Sequence, residues 1–329
     1  MRTLAIALAV LSVVVPVHAQ APAPSSAGAR EIAITIDDLP QNGPEYGLKR
    51  MQQMTAKLVG ALARHHIPAV AFVNEAQLYK PGEVDARIAL LAAWADAGLE
   101  LGNHTFAHKS FHNTTLADFE DEVIRGETVS RQLDAAHGKT LRYFRHPYLD
   151  TGPDLATRTA FEAFLAARGY TIAPVTLDAD DWMFTLPYSE ALAHKDRAEM
   201  KRVADAYLAF TEASIARSEQ FSDALFGRPI RQVLLMHANE LNADTFDELV
   251  RLFERHGYTF VTLERALEDA AYREPNTFAR PAGIPWFERW AATRGGVTAP
   301  PEIEPPAWVQ EAFDRLSVTF PPRIPGSVN

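Results

Sequence analysis

Short apolar runs of β-type residues recur along this chain, separated by longer amphipathic stretches, and that alternation narrows its fold more than any other feature. The runs are residues 31–36, 69–73, 99–103, 141–144, 170–177, 232–236 and 258–263. Most are apolar enough to be buried on both faces, as strands of a parallel sheet are. Between them, Leu48, Met51, Leu58 and Leu62 share one helical face. Phe246, Leu249, Leu252 and Phe253 share another, in a helix that starts near the N-cap candidate Asp244 and ends at Gly257. Strand alternating with helix predicts an α/β fold around a parallel sheet. A closed (β/α) barrel and an open doubly wound sheet both satisfy the pattern. The chain has no GxGxxG phosphate loop and no internal repeat.

The ends of the chain read differently from its middle. Arg2, the apolar stretch 4–15 and the small-residue site Val17-His18-Ala19 predict a signal peptide over residues 1–19, and hence export, to the periplasm first and to the medium as the alternative. The stretch is shorter than the roughly 18 residues that a membrane span needs, and with no cysteine there is no lipoprotein anchor, disulfide or thiol nucleophile. Residues 20–30, rich in Ala, Pro, Ser and Gly, form a flexible lead-in. Residues 31–270 hold the strand–helix pattern, with a long helical insertion at 189–222 before the sixth run. Residues 271–329 are a proline-containing extension carrying Trp286, Trp290 and Trp308, expected to pack on the domain rather than to serve as a substrate platform. The formal charge of -10, with no basic cluster, argues against nucleic acid or an anionic membrane as partner.

The chemistry is marked by where polar residues fall. Asp37 and Asp38 follow the first run, His104 and His108 the third, Arg145 the fourth, Asp178, Asp180 and Asp181 the fifth, and His237 the sixth. In barrels and open sheets alike the C-terminal ends of the strands carry the site, so these residues should converge. His104 and His108, four apart, suit one helical face and a single ion, although a bare pair at that spacing is more often solvated surface. A carboxylate from another strand end turns the pair into a two-His, one-Asp set with coordination positions left open, a catalytic arrangement. Adjacent aspartates at the end of an apolar strand are costly without a cation and hydrogen bonds. Either Asp38 caps a helix, or the two divide, one on the metal and one on the attacking water; with both histidines present the second reading is favoured.

These residues resemble the polysaccharide deacetylases of carbohydrate esterase family four. Thr35-Ile36-Asp37-Asp38 is similar to Thr-Phe-Asp-Asp, and His104-Thr-Phe-Ala-His108 to His-(Ser/Thr)-x-x-His. Arg145-His146-Pro147-Tyr148 is similar to Arg-x-Pro-Tyr, Asp178-Ala179-Asp180-Asp181-Trp182 to Asp-x-x-Asp-Trp, and Leu235-Met236-His237 to Leu-x-His. The resemblance implies a distorted (β/α) barrel of about seven parallel strands. It implies one divalent ion on Asp38, His104 and His108, zinc first and cobalt, manganese or nickel as alternatives. Asp37 would be the base, His237 the acid, Arg145 the partner of the base, Asp181 the residue that tunes the acid, and Tyr148 the donor of an oxyanion amide. Where the family often continues its first motif with Gly-Pro, this chain has Leu39-Pro40.

The implied function is metal-dependent removal of N-acetyl groups from an acetylated glycan of the peptidoglycan or chitin kind. An O-acetyl esterase on xylan would use the same apparatus. An inactive, metal-retaining carbohydrate-binding protein is a third reading, disfavoured because Asp37 and His237 are both present. His146 is expected to touch substrate or, at least as readily, to pack or be solvated, His112, His65, His66, His137, His194 and His256 to lie at the surface, and Trp182 to line the acetyl pocket or fill the barrel end.

Overall fold

The computed structural model describes residues 30–45, 47–280 and 283–318. The expected signal peptide and all but the last residue of the lead-in lie outside them. Among the described residues eight strands occur: β1 (Arg30–Leu39), β2 (Ala69–Val73), β3 (Glu100–Asn103), β4 (Tyr143–Phe144), β5 (Thr171–Ile172), β6 (Leu177–Asp178), β7 (Gln232–His237) and β8 (Tyr258–Val261). All pair in parallel. The sheet runs β5-β4-β3-β2-β1-β7-β6, seven strands in a curled, unclosed barrel, with β8 added beside β1. β8 pairs with Arg30–Ala33 and β2 from Ile34 onward, while β7 follows Ile32–Asp37. β8 and β2 therefore succeed one another along one edge of β1, and β7 takes the other.

The expected fifth run is two strands, not one. Pro174 lies between them and has no amide hydrogen to give a ladder. Its two halves, β5 and β6, become the two ends of the sheet, which is where the barrel fails to close.

Helices follow the strands: α1 (Leu48–Arg64), α2 (Val84–Asp96), α3 (Leu116–Arg125), α4 (Thr128–Ala136), α5 (Leu155–Ala167), α6 (Asp181–His194), α7 (Arg197–Phe226), α8 (Glu240–Arg255), α9 (Leu263–Leu267), α10 (Trp286–Arg294) and α11 (Ala307–Ser317). α1 buries Met51, Leu58 and Leu62, and α8 buries Phe246, Leu249, Leu252 and Phe253, the faces that periodicity marked. The start of α8 differs from expectation. Asn239, not Asp244, is its cap, accepting the Asn242 amide at 2.8 Å. Asp244 sits a turn inside, where it takes a hydrogen bond from the Tyr188 hydroxyl at 2.9 Å and pairs with Lys57. The insertion is longer than expected at its far end, since α7 runs to Phe226.

The tail packs on the domain through its aromatic residues. Phe287 of α10 stacks on Phe221 of α7 with ring centres 5.5 Å apart, Trp290 lies edge-on to Phe226, and Trp286 and Trp290 are buried. Arg202 of α7 covers the Trp308 ring at 3.8 Å. α11 lies against α6, bringing Phe313 edge-on to Trp182 at 5.1 Å. Among the described residues no helix is long and apolar enough to cross a membrane.

Truncating a buried aromatic costs its transfer energy plus that of the cavity left behind. Phe287→Ala is therefore expected to lower unfolding stability by about 3–5 kcal/mol in a denaturant titration. A change below about 1 kcal/mol would show that the tail does not pack on α7 in solution.

Candidate metal centre and active site

Successive residues of a regular strand point to opposite faces, so Asp37 and Asp38 should not share a pocket. The backbone breaks the alternation. Asp38 takes φ 67, and the pairing of β1 with β2 shifts register between Ile36 and Leu39, a bulge that turns the second carboxylate onto the side of the first. Both line one cleft of about 1060 Å³ at the C-terminal end of the sheet.

Asp38, His104 and His108 offer ligand atoms that all lie within 4.8 Å of one another. Asp38 Oδ1 is 3.4 Å from His104 Nε2 and 3.3 Å from His108 Nε2. The outer atoms of the set are occupied: Asn42 donates to Asp38 Oδ2 at 2.8 Å, and His104 Nδ1–H donates to the Arg145 carbonyl at 2.8 Å. That second bond fixes the tautomer and leaves the Nε2 lone pair aimed at Asp38. Among the described residues Asp38 Oδ1 is buried without a hydrogen-bond partner, an expensive state that a cation would relieve. Burial, with the nearby His104 and His237 adding to it against Asp38, pushes His108 down to about 4. Burial opposes the charge of Asp38, but His108, His104 and His237 outweigh it and hold the carboxyl below its ordinary range. Carboxylate ionised and imidazole neutral are the forms a divalent ion binds, so these residues fit such an ion.

Across the cleft, Asp37 and His237 are paired neighbours on β1 and β7. Asp181, the first residue of α6, accepts from His237 twice, from the ring Nδ1–H at 2.6 Å and from the backbone amide at 2.9 Å. Asn239 donates to the same carboxylate at 2.8 Å, and Asn242 does so as well while holding the His237 carbonyl at 2.9 Å. Burial alone would strip the proton from the ring. The charge and hydrogen bond of Asp181, helped by Asp38 and Asp37, instead raise His237 to about 10. The same contacts hold Asp181 below its ordinary value despite burial. Asp178 and Asp180, from the same motif, also line the cleft. Burial and the repulsion of Asp180 push Asp178 up to about 8.

Arg145 is fully buried behind Asp37, with Nη1 3.7 Å from Asp37 Oδ2. This is ion-pair distance rather than a hydrogen bond. Its Nη2 donates to Thr35 Oγ1 at 2.7 Å, and its guanidinium lies over the Phe72 ring at 4.9 Å. The ring has room because residue 102 is glycine; a Cβ there would meet Phe72 at 2.5 Å. Tyr148 turns through φ 56 and Leu149 through φ 53, a conformation non-glycine residues adopt at a cost. The Tyr148 ring meets His108 edge-on at 4.4 Å.

Sequence reading missed the residues that hold these ones in place. Asn42, Asn239 and Asn242 carry no motif, and only their hydrogen bonds to the site carboxylates mark them. Arg289 of α10 is wholly buried, donating to Thr151 Oγ1 at 2.8 Å, to Ile284 O at 2.7 Å and to the Leu149 carbonyl, so the tail clamps the loop that carries Tyr148. His112 is not a surface residue; its ring and amide are bound by Asp150. His146 packs, buried against Phe144 and Phe161. Trp182 lines the cleft at 39% exposure.

Residues 25–163 match the polysaccharide deacetylase family model. The match holds Asp37, Asp38, His104, His108, Arg145 and Tyr148, while Asp181 and His237 lie beyond it. Among curated proteins the chain is similar to a peptidoglycan-N-acetylglucosamine deacetylase of Bacillus cereus, 24% identical over 152 residues that make up 46% of each. The chain thus spans about half the length of the curated relative it matches. Among solved structures it is similar to a family 4 carbohydrate esterase from Streptomyces lividans in complex with acetate, with TM-score 0.45, 20% identity and coverage of 72% of this chain and 95% of that one. It is also similar to a polysaccharide deacetylase from Bacillus cereus, with TM-score 0.48, 19% identity and coverage of 71% and 91%. A third is a pseudoenzyme of the same esterase family from Bacillus anthracis, with TM-score 0.49, 15% identity and coverage of 73% and 66%.

Because Asp181 raises the His237 pKa, the metal-free protein should carry an imidazolium at neutral pH. Its folded value lies above the unfolded 6.5, so the stability this group supplies is complete below pH 6.5 and is lost as pH rises through about 10. In Asp181→Asn the ring should titrate far closer to 6.5, read by NMR, and the stability loss over that pH window should flatten. An unchanged titration would remove Asp181 as the cause.

Proposed function

We propose that this chain is a metal-dependent deacetylase removing N-acetyl groups from an amino-sugar glycan of the peptidoglycan or chitin kind. The observation that carries the reading is the Asp38, His104 and His108 trio facing, across one cleft, a histidine charged by its own aspartate. The family match, and the printed activity of the Bacillus cereus relative, supply the substrate class. Export, read from residues 1–19, accords with a cell-wall substrate.

A divalent ion held by the trio, zinc first, would polarise the acyl carbonyl and make water acidic enough to attack near neutral pH. The protein's own groups do the rest. Asp37, with Oδ1 buried and without a protein partner among the described residues, is free to take the proton of the attacking water. Arg145 faces it from below, its guanidinium 3.7 Å from Asp37 Oδ2. Tyr148 lines the cleft, and its backbone amide would serve the carbonyl oxygen where negative charge develops. His237, already protonated, gives its proton to the leaving amine, and Asp181 keeps the ring oriented while it does so.

Metal content and turnover separate these roles. Asp38→Ala and His104→Ala are expected to lose the ion, measured by elemental analysis of purified protein. Asp37→Asn should keep it and lose about 10²–10⁴-fold in acetate release; full activity in that variant would remove Asp37 as base.

Chelation is expected to abolish acetate release from chitooligosaccharides or peptidoglycan fragments, with zinc, cobalt or manganese restoring it. Release that survives complete metal removal would end the metal-dependent reading, and release from acetylxylan alone would favour the O-acetyl esterase.

A further inference from the structure

His108 and Tyr148 follow different strands, β3 and β4, so the distance between them is a matter of tertiary contacts. Asp150 joins the two loops. It lies two residues after Tyr148, is 4% exposed, and does not itself line the cleft. Its carboxylate takes four donors. Ser110 gives its hydroxyl to Oδ2 at 2.7 Å and His112 its backbone amide to the same oxygen at 2.9 Å, while Oδ1 accepts the Gly152 amide at 3.0 Å and the His112 ring Nδ1–H. Ser110 and His112 stand two and four residues after His108. Phe111, wholly buried between them, lies against Gly152, where φ is 106 and a Cβ would meet the ring at 3.0 Å.

These contacts close a short circuit of chain. From His108 it runs through Ser110 to Asp150 and back along the loop to Tyr148, whose ring meets His108 at 4.4 Å. His108 and Tyr148 both hold left-handed backbone, φ 54 and φ 56, a conformation that surrounding bonds must maintain. The spacing bears on the chemistry. The carbonyl oxygen of a substrate seated at the trio must also reach the Tyr148 amide, and the demand is greatest when negative charge develops on it.

We propose that Asp150 is a positioning residue that sets the spacing between the metal ligand His108 and the Tyr148 amide. The inference rests on the deacetylase reading and deepens it. The second acceptor oxygen is what the role requires. An asparagine of the same shape keeps one oxygen and turns an NH2 group on the donors that met the other.

The test compares Asp150→Asn with wild type as full-length protein saturated with zinc, by acetate release from chitooligosaccharides. kcat is expected to fall by about 10–100-fold with KM within about twofold, because misplacement weakens the transition state more than the bound ground state. The visible absorption of the cobalt-loaded variant, which reads ligand geometry without turnover, should differ from that of cobalt-loaded wild type. Leu249→Ala, a core truncation in α8, controls for lost stability and should keep both kcat and the cobalt spectrum. If Asp150→Asn does not fold, Ser110→Ala removes one of the four bonds and is expected to lower kcat about threefold with KM kept; an unchanged kcat there overturns the role. An Asp150→Asn kcat within about twofold of wild type, a loss carried by KM alone, an unchanged cobalt spectrum or an equal loss in Leu249→Ala overturns the positioning role and leaves the deacetylase reading standing. No acetate release by the wild type overturns the deacetylase reading and the role with it.

Discussion

The whole site depends on the left-handed turn at Asp38. A regular strand would send one of two consecutive carboxylates into the apolar layer under the helices, where an ionised group has no partner. The bulge at the end of β1 puts both in one cleft. From that single backbone departure follow the need for histidines opposite Asp38, for Arg145 beneath Asp37, and for Asn42 on the outer carboxylate oxygen. The same kind of turn recurs at His108, Tyr148 and Asp180. Strained backbone is retained where surrounding structure over-determines it, and here the surroundings are buried ion pairs and hydrogen bonds.

The charges divide into two groups with opposite tendencies. Around Asp38 the imidazole of His108 is driven neutral and the carboxylate ionised, which suits a cation. Around Asp181 the imidazole of His237 is driven charged, which suits a proton donor. Two histidines of one cleft thus take opposite protonation states because one faces other imidazoles and burial, while the other is gripped by an aspartate on two sides. Pushing the pKa values of neighbouring groups apart is how a single pocket can hold acid and base at one pH.

The tail and α7 decide what else the cleft admits. The Arg289 clamp ties the Tyr148 loop to α10, and Phe313 reaches Trp182 from α11, so segments beyond the family match close one side of the pocket.

The sequence by itself determined the parallel α/β sheet, since strands buried on both faces must be apolar throughout and helices must carry a 3.6-residue stripe. It also determined that Asp37, His104, His108 and His237 would meet, because strand ends of such a sheet share one rim. It misread places where a local signal was outweighed: Asp244 has cap chemistry, but Asn239 begins α8, and the 170–177 run is apolar enough for one strand yet Pro174 divides it. His112 looked like a surface ring because its partner Asp150 is 38 residues away. Asn42, Asn239, Asn242 and Arg289 were beyond sequence reading, because their only signature is the buried atom each one satisfies. Only the tertiary structure decided the turn at Asp38, the opposite tendencies of His108 and His237 and the Arg289 clamp on the Tyr148 loop. Each depends on distances between residues that one-dimensional spacing does not contain.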